Sequence, residues 1–579
     1  MAIKYLSGKR LQGTAAERTA LNLTTPPQTS WKEIGRTTLS SSGSNIDVRG
    51  TSVTRDVGTF DGSNDYITFA TKFNQMQQAG SFSVWIKPAN IGSTGNDIIF
   101  DNSDVSSANN GFSIRHSDPS GSKTVVMFGI WGSTDSSITT SNIWTGDEWQ
   151  HLVVTYDGTT GKVYRNGTLV KSGALTANSS AGSYNARIGW GANGNDHKFE
   201  GKMAQALVYN DALTQSEVTT LYNNGTPITS PSTSGLVSKY NLTANTNDSQ
   251  GSNNGTNTGV SFGSDTITGN FTPKDNLMIL YYGIASGNAP AARIRFNSDD
   301  DDNYAQKGSR NGGSNASGAN RSNVSHTLAS GSNESDEFAI TNVTNNASQE
   351  KLWITHEIDK LNGTNQDPNR GEIVGKWANT SNSISSVNVY ESESGSFASG
   401  SEVVVLGCDN DEADSGTTFW QELNKTTLTS SADTITTGDT SAISKKYLWV
   451  RAVLLPTGGN IRTDVRLNND SGSNYTRRRS NNGASDSAAT GESSIDVYGD
   501  DNQIKVVEFF IINHQSEEKM VIGDLYMRND EGAGNAPNRC EFVAKWCNDQ
   551  DLISRITINN TSASGSYASG SYMTVWGSD

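Results

Sequence analysis

Short apolar runs recur along the chain, each bounded by Gly, Asn, Asp or Ser. In "FSVWIKP" (82–88), Phe82, Val84 and Ile86 fall on one face of an extended strand, and Ser83, Trp85 and Lys87 on the other. "HLVVTYDG" (151–158) is a strand running into a turn. "YRNGTLV" (164–170) places Asn166-Gly167 where a two-residue hairpin needs positive φ. A helical period stands out once, in "LTQSEVTTLYN" (213–223). There Thr214 is the predicted N-cap, Glu217 completes a capping box, and Val218, Leu221 and Tyr222 share one face. The pattern predicts an all-β chain of short antiparallel strands joined by polar turns.

The pattern also repeats. "GEIVGKWANT" (371–380) answers "CEFVAKWCND" (540–549), and "EKLWI" (350–354) answers "EKMVI" (518–522). "GSFASGSEVVVLGCD" (395–409) answers the closing "GSYASGSYMTVWGSD" (565–579). "RFNSDDDDNY" (295–304) matches "RLNNDSGSNY" (466–475), and "SDTIT" (264–268) matches "ADTIT" (432–436). The offset stays near 170 residues, so two homologous β-sandwiches of jelly-roll type are expected, the second being the terminal module. The second copy opens with "WQELNKTTLTSS" from Trp420. Its match, "WKEIGRTTLSSS", lies far upstream at Trp31. The first sandwich is therefore predicted to be split by an insertion. The expected boundaries are an N-terminal segment 1–30, a first sandwich 31–49 plus 263–409, an inserted domain 50–262, a linker 410–419 and a second sandwich 420–579.

Within the insertion, "FDGSNDYITF" (60–69), "GSFSVWIKP" (80–88), "EWQHLVVTYDG" (148–158), "GKVYRNGTLV" (161–170), "RIGW" (187–190) and "FEGKMAQALVYNDALTQSEVTTLYNNG" (199–225) follow in order. This set resembles the laminin-G/concanavalin A-like jelly roll of adhesive and carbohydrate-binding proteins. The repeat and this resemblance together predict three sandwiches in all, two of them homologous repeats and one of this inserted type. The resemblance also implies Ca²⁺ at the sandwich rim, held by Asp61, Asp65, Asp248 and Asn254. "GLVSKYNLTANTNDSQGSNNGT" (235–256) resembles the strand that opens such domains, yet here it follows the body, as in a permuted closure. The flanking modules and the opening "MAIKYLSGKRLQG" resemble virion proteins of tailed viruses.

Composition narrows the classes. With 60 acidic and 44 basic side chains the net charge is −16, which argues against a nucleic-acid surface. No apolar run is long enough to span a membrane, and the N-terminus carries no signal-peptide core. Three cysteines, Cys408, Cys540 and Cys547, cannot build a disulfide framework. Sugars are gripped by aromatic faces together with amide and carboxylate groups. The expected glycan contacts are Trp131, Trp144, Trp190, Asn193, Asn195, Asp196 and His197, with Trp85 and Trp149 in the core. "HEIDKLNG" (356–363) alternates Glu357 and Asp359 onto one strand face, as a glycosidase pair would be. The third carboxylate of such a strand is missing, so a solvated face is expected. "NSDDDDNY" and "RRRS" (477–480) are likewise read as solvated turn and loop. The resulting expectation is a non-enzymatic virion attachment or fibre protein, homo-oligomeric, that displays a domain for host-surface glycans beside other virion proteins. The alternatives are a capsid decoration or spacer protein and a cell-surface adhesin.

Overall fold

The computed structural model describes residues 31–579 except 90–96, 104–110, 118–122, 129–135, 142–143, 145, 177–183, 193–197, 288–289, 328–334, 394, 411–417, 530–532 and 563. The chain divides into two compact units, Thr51–Asn270 and the remainder, Met1–Gly50 with Phe271–Asp579.

The larger unit holds two sandwiches with one topology. In the first, Lys32–Thr38 pairs with Glu402–Cys408 at one edge of an eight-stranded antiparallel sheet, against a four-stranded sheet that contains Asn45–Val48. In the second, Gln421–Thr427 pairs with Tyr572–Ser578, and Thr434–Thr436 takes the place of Asn45–Val48. Even an irregularity is duplicated: a β-bulge lies between Glu33 and Gly35 in one copy and between Glu422 and Asn424 in the other. "NSDDDDNY" and its counterpart are anchored turns, not free ones. Trp377 donates its indole N–H to Asp299 at 2.6 Å, and Trp546 donates to Asp470 at 2.7 Å.

The central strands of the eight-stranded sheets are buried on both faces, which explains the continuous apolar run "NLMILYYG", whereas Leu352, Ile354 and Val374 on neighbouring strands stay exposed. Leu277, Ile279 and Tyr281 point into the first sandwich. Met278, Leu280 and Tyr282 point outward into a seam where the two large sheets meet. Met520, Ile522 and Val543 fill that seam from the second copy, each 5 % exposed or less. Burying such a side chain contributes about 2 kcal/mol. Charged groups line the seam's margins: Glu402 accepts from Tyr447 (2.7 Å) and Lys446 (3.0 Å), and Lys545 donates to the carbonyl of Gly363 (2.8 Å).

The inserted unit is a further sandwich. Its larger sheet runs in the order Thr168–Ala174, Thr160–Arg165, Gln150–Tyr156, Gly80–Pro88, Glu200–Tyr209, Ser52–Asp61, Ser261–Thr268, with Leu236–Tyr240 also paired to Glu200–Tyr209. The smaller sheet runs Gly255–Thr258, Tyr66–Phe69, Arg187–Ile188, Ile98–Asp101, Phe112–Ser117, Lys123–Phe128, Ser137–Thr139. Phe82, Val84, Leu152, Phe100 and Ile114 lie between them. The helix Gln215–Tyr222 starts at a Thr214/Glu217 capping box and covers the outer face of the larger sheet. Trp85 stacks there on His151 and Tyr222 at centroid distances of 4.9 and 5.9 Å.

Three sequence expectations change. Ser261–Thr268, which contains "SDTIT", pairs along its whole length with Ser52–Asp61, so it closes the inserted unit and does not open the first sandwich. The counterpart of "ADTIT" is Asn45–Val48 instead. Glu357 and Asp359 are not a solvated face. They point into the first sandwich at 2 % and 4 % exposure, where Asp359 accepts from Arg310 at 2.5 Å and from Asn369 at 3.2 Å. "RRRS" is a strand, not a loop. Arg477 and Arg479 pair with Asp496 at 3.0 and 2.9 Å, and Arg478 pairs with Asp367.

Candidate functional site

The smaller sheet of the inserted unit sends Ile67, Phe69 and Ile188 into the core and Tyr66, Thr68 and Arg187 to its outer face. Gly189 then turns the chain at φ +89°, where a Cβ would sit 2.5 Å from the Phe60 ring. Only glycine tolerates both that dihedral and that approach. The turn delivers Trp190, which forms a bridge with Lys198.

An aromatic pair results. The Tyr66 and Trp190 rings meet edge to face at 5.2 Å. The Arg187 guanidinium lies 4.5 Å from the Tyr66 centroid, donating to Thr68 Oγ1 and to the Gly191 carbonyl at 3.1 Å each. The Lys198 ammonium lies 5.0 Å from the Trp190 centroid. Such cation–π contacts each contribute about 0.5–1 kcal/mol at half-exposed positions. Beneath the turn, Asp101 is wholly buried and accepts from the Ala192 N–H at 2.6 Å and the Ser103 hydroxyl at 2.6 Å. Burial pushes its carboxyl above the usual carboxylate range. At the rim, burial and the nearby Glu200 charge raise Asp97 to about 6. The patch thus offers two half-buried aromatic rings and two fixed cations on a rigid sheet. It suits C–H stacking against a sugar ring and donation to hydroxyl or carboxylate oxygens.

Of the expected contacts, Trp190 lies in this patch. Trp144 does not: it is 6 % exposed and packs on His116 at 4.9 Å, a core position. Burial lowers His116 to about 3, so it is neutral. Trp131, Asn193, Asn195, Asp196 and His197 lie outside the described residues. Tyr66 and Arg187 were missed, although the alternation of "DYITF" and "ARIGW" puts both on the outward face.

The four proposed calcium ligands do not converge. Asp65 lies at one end of the strand Tyr66–Phe69, and Asn254, whose carbonyl accepts from Ala70, at the other. That separation is about 17 Å along an extended strand. Asp248 is also occupied: its carboxylate accepts from the backbone N–H groups of Lys239, Gln250, Gly251 and Asn253 at 2.9–3.1 Å. Asp61 accepts from Ser63 and Asn64 as a turn residue, which lowers its pKa. These residues shape loops and do not fit one cation shell. Among the described residues no cluster of three or more His, Cys, Asp or Glu is placed to hold a metal.

Residues 61–219 match the model of a laminin G family described as the concanavalin A-like lectin/glucanases superfamily. Among solved structures, a carbohydrate-binding protein from Bacteroides ovatus, itself described as putative, is 18 % identical, covering 38 % of this chain and 68 % of its own at a TM-score of 0.29. The heptameric SAP-like pentraxin of Limulus polyphemus is 16 % identical, covering 37 % and 94 %, at 0.24. Domains LG4-5 of the mouse laminin alpha1 chain are 9 % identical, covering 62 % and 92 %, at 0.22. No curated protein matches the chain. By the family match, residues 61–219 carry a laminin-G/concanavalin A-like domain. No helix among the described residues is long and apolar enough to cross a membrane.

Proposed function

We propose that the inserted unit binds carbohydrate at the Tyr66–Trp190 patch without hydrolysing it. The two repeated sandwiches would carry that domain in a virion attachment protein directed at host-surface glycans. The observation that carries the binding reading is the half-buried aromatic pair flanked by Arg187 and Lys198. The match of this segment to a family described as lectins and glucanases supports it. Binding without hydrolysis is favoured because Glu357 and Asp359 are sealed inside the first sandwich, away from any sugar. The virion setting, its partners and a homo-oligomeric state rest on the resemblance of the repeated modules. Mass spectrometry of purified particles tests the first, and light scattering on the full chain the last.

A glycan array followed by calorimetry on the full chain tests the binding. A Kd near ~1 mM per site is expected, strengthened by multivalent display. Trp190→Ala should weaken it at least tenfold at unchanged melting temperature, and chelation of calcium should leave it unchanged. Absence of binding to any glycan would leave the spacer reading. Release of reducing ends from a polysaccharide would overturn the non-enzymatic one.

A further inference from the structure

The seam between the two repeated sandwiches brings two homologous glutamates together. Glu372 and Glu541 occupy the same position in the two copies of "GEIVGKW/CEFVAKW" and meet across the seam, both reaching the same guanidinium nitrogen of Arg370. Two carboxyl groups share a hydrogen bond only when one of them keeps its proton. Arg370 braces both, reaching Glu372 Oε1 at 2.7 Å and Glu541 Oε2 at 3.1 Å. Its other edge is committed to Asp486, at 2.8 and 3.2 Å. A small cavity lies alongside, lined by His356, Arg370, Ile522, Glu541 and Val543 among others.

The charge around the pair is unbalanced. On the second sandwich Glu508, Asp524 and Glu541 stand directly opposite one another on three adjacent strands, an arrangement in which like charges repel. Arg539 contacts Glu541 at 2.6 Å from the same strand. From the first sandwich, Arg370 faces the pair from the strand of Glu372, and His356 from the neighbouring one. Asp486 reaches in from the loop before Ser487–Glu492, and Tyr526 lies beside Asp524. With Arg451, which stands opposite Glu508 on the adjoining strand, five carboxyl groups thus surround three guanidinium groups and one imidazole.

We propose that the Glu372–Glu541 pair is a proton-dependent latch between the two sandwiches, closed while one proton is shared and loosened when that proton leaves. Burial and the Glu372 partner raise Glu541 to about 7, and the same partnership lowers Glu372. Burial also raises Asp524 and Glu508. The sign follows. A carboxyl whose folded value lies above its unfolded one stabilises the closed seam fully below the unfolded value and loses that contribution as pH rises through the folded value. The window is therefore about pH 4.5 to 7, with the loss complete near 8.

Hydrogen–deuterium exchange on the full chain, corrected for intrinsic exchange, tests this. Peptides spanning 522–524, 541–543 and 370–372 should lose about tenfold protection between pH 5.5 and 8, while Leu448–Val450 in the second core should not. Glu541→Gln, which keeps the donor without the charge, should abolish most of that fall. Glu372→Gln, read the same way, decides the matter if the first variant does not fold. A wild-type seam with no fall, or the same fall in the folded glutamine variant, overturns the latch.

Discussion

Removing the inserted unit should leave the two sandwiches folded. Gly269 donates to the Thr51 carbonyl at 3.0 Å, and Ser52 is the register partner of Thr268, so the insertion leaves and returns at one point. Cα atoms of such a pair are about 5 Å apart, a gap that three or four Gly/Ser residues between Gly50 and Phe271 can bridge. Phe271 must stay, because it is 2 % exposed in the first core and its N–H donates to Ser385 at 2.9 Å. While folded, the insertion already holds its own ends together. It adds little loop entropy, and deletion should change the stability of the larger unit by less than about 1 kcal/mol. Unfolding the insertion in place is different. A flexible loop of about 220 residues in place of about four costs about 3.5 kcal/mol by the logarithmic closure rule. Val84→Asp, which puts a charge at a fully buried position, should do this. Native-state hydrogen exchange of Tyr447–Leu454 reports the global stability of the larger unit in each variant. The expected order is wild type about equal to deletion, with Val84→Asp about 3.5 kcal/mol lower. A deletion variant that loses more than 2 kcal/mol, or a Val84→Asp variant that loses nothing, would refute the independence of the two units.

The remaining predictions concern single groups. Trp546→Phe leaves Asp470 without its indole donor and should cost about 1–3 kcal/mol, and Trp377→Phe a similar amount through Asp299, read by urea unfolding. The equality of the two checks that the copies share one anchoring device. His116 and His151, both lowered to about 3 by burial, should show neutral imidazole shifts by NMR at pH 5. Their contribution to stability is present above the unfolded value of 6.5 and is lost as pH falls toward 3, so acid should melt the inserted unit. A histidine titrating near 6 would contradict that burial. Trp190→Ala and Glu541→Gln, described above, separate the glycan patch from the seam: each should leave the other's readout unchanged.

Strand identity, the duplication and the inserted jelly roll were all legible in the chain. Period-two alternation is a local property, and homologous copies keep the residues that point inward. The Asn166-Gly167 hairpin and the Thr214 capping box are likewise local, and the structure has both. What the chain alone could not show was which strand a segment would choose as its neighbour. "SDTIT" resembles "ADTIT", yet it lies along Ser52–Asp61 because eight continuous backbone pairs outweigh a five-residue likeness. Alternation told that Glu357 and Asp359 share a face; only the packing of two sheets decided that this face is the interior. Tyr66 lies more than a hundred residues before Arg187 and Trp190, and the order of strands in the smaller sheet sets it beside them. The same holds for Glu372 and Glu541. Their equivalence is written in the repeat, but their meeting depends on how one large sheet lies on the other, a long-range arrangement set by summed burial and not by any local signal.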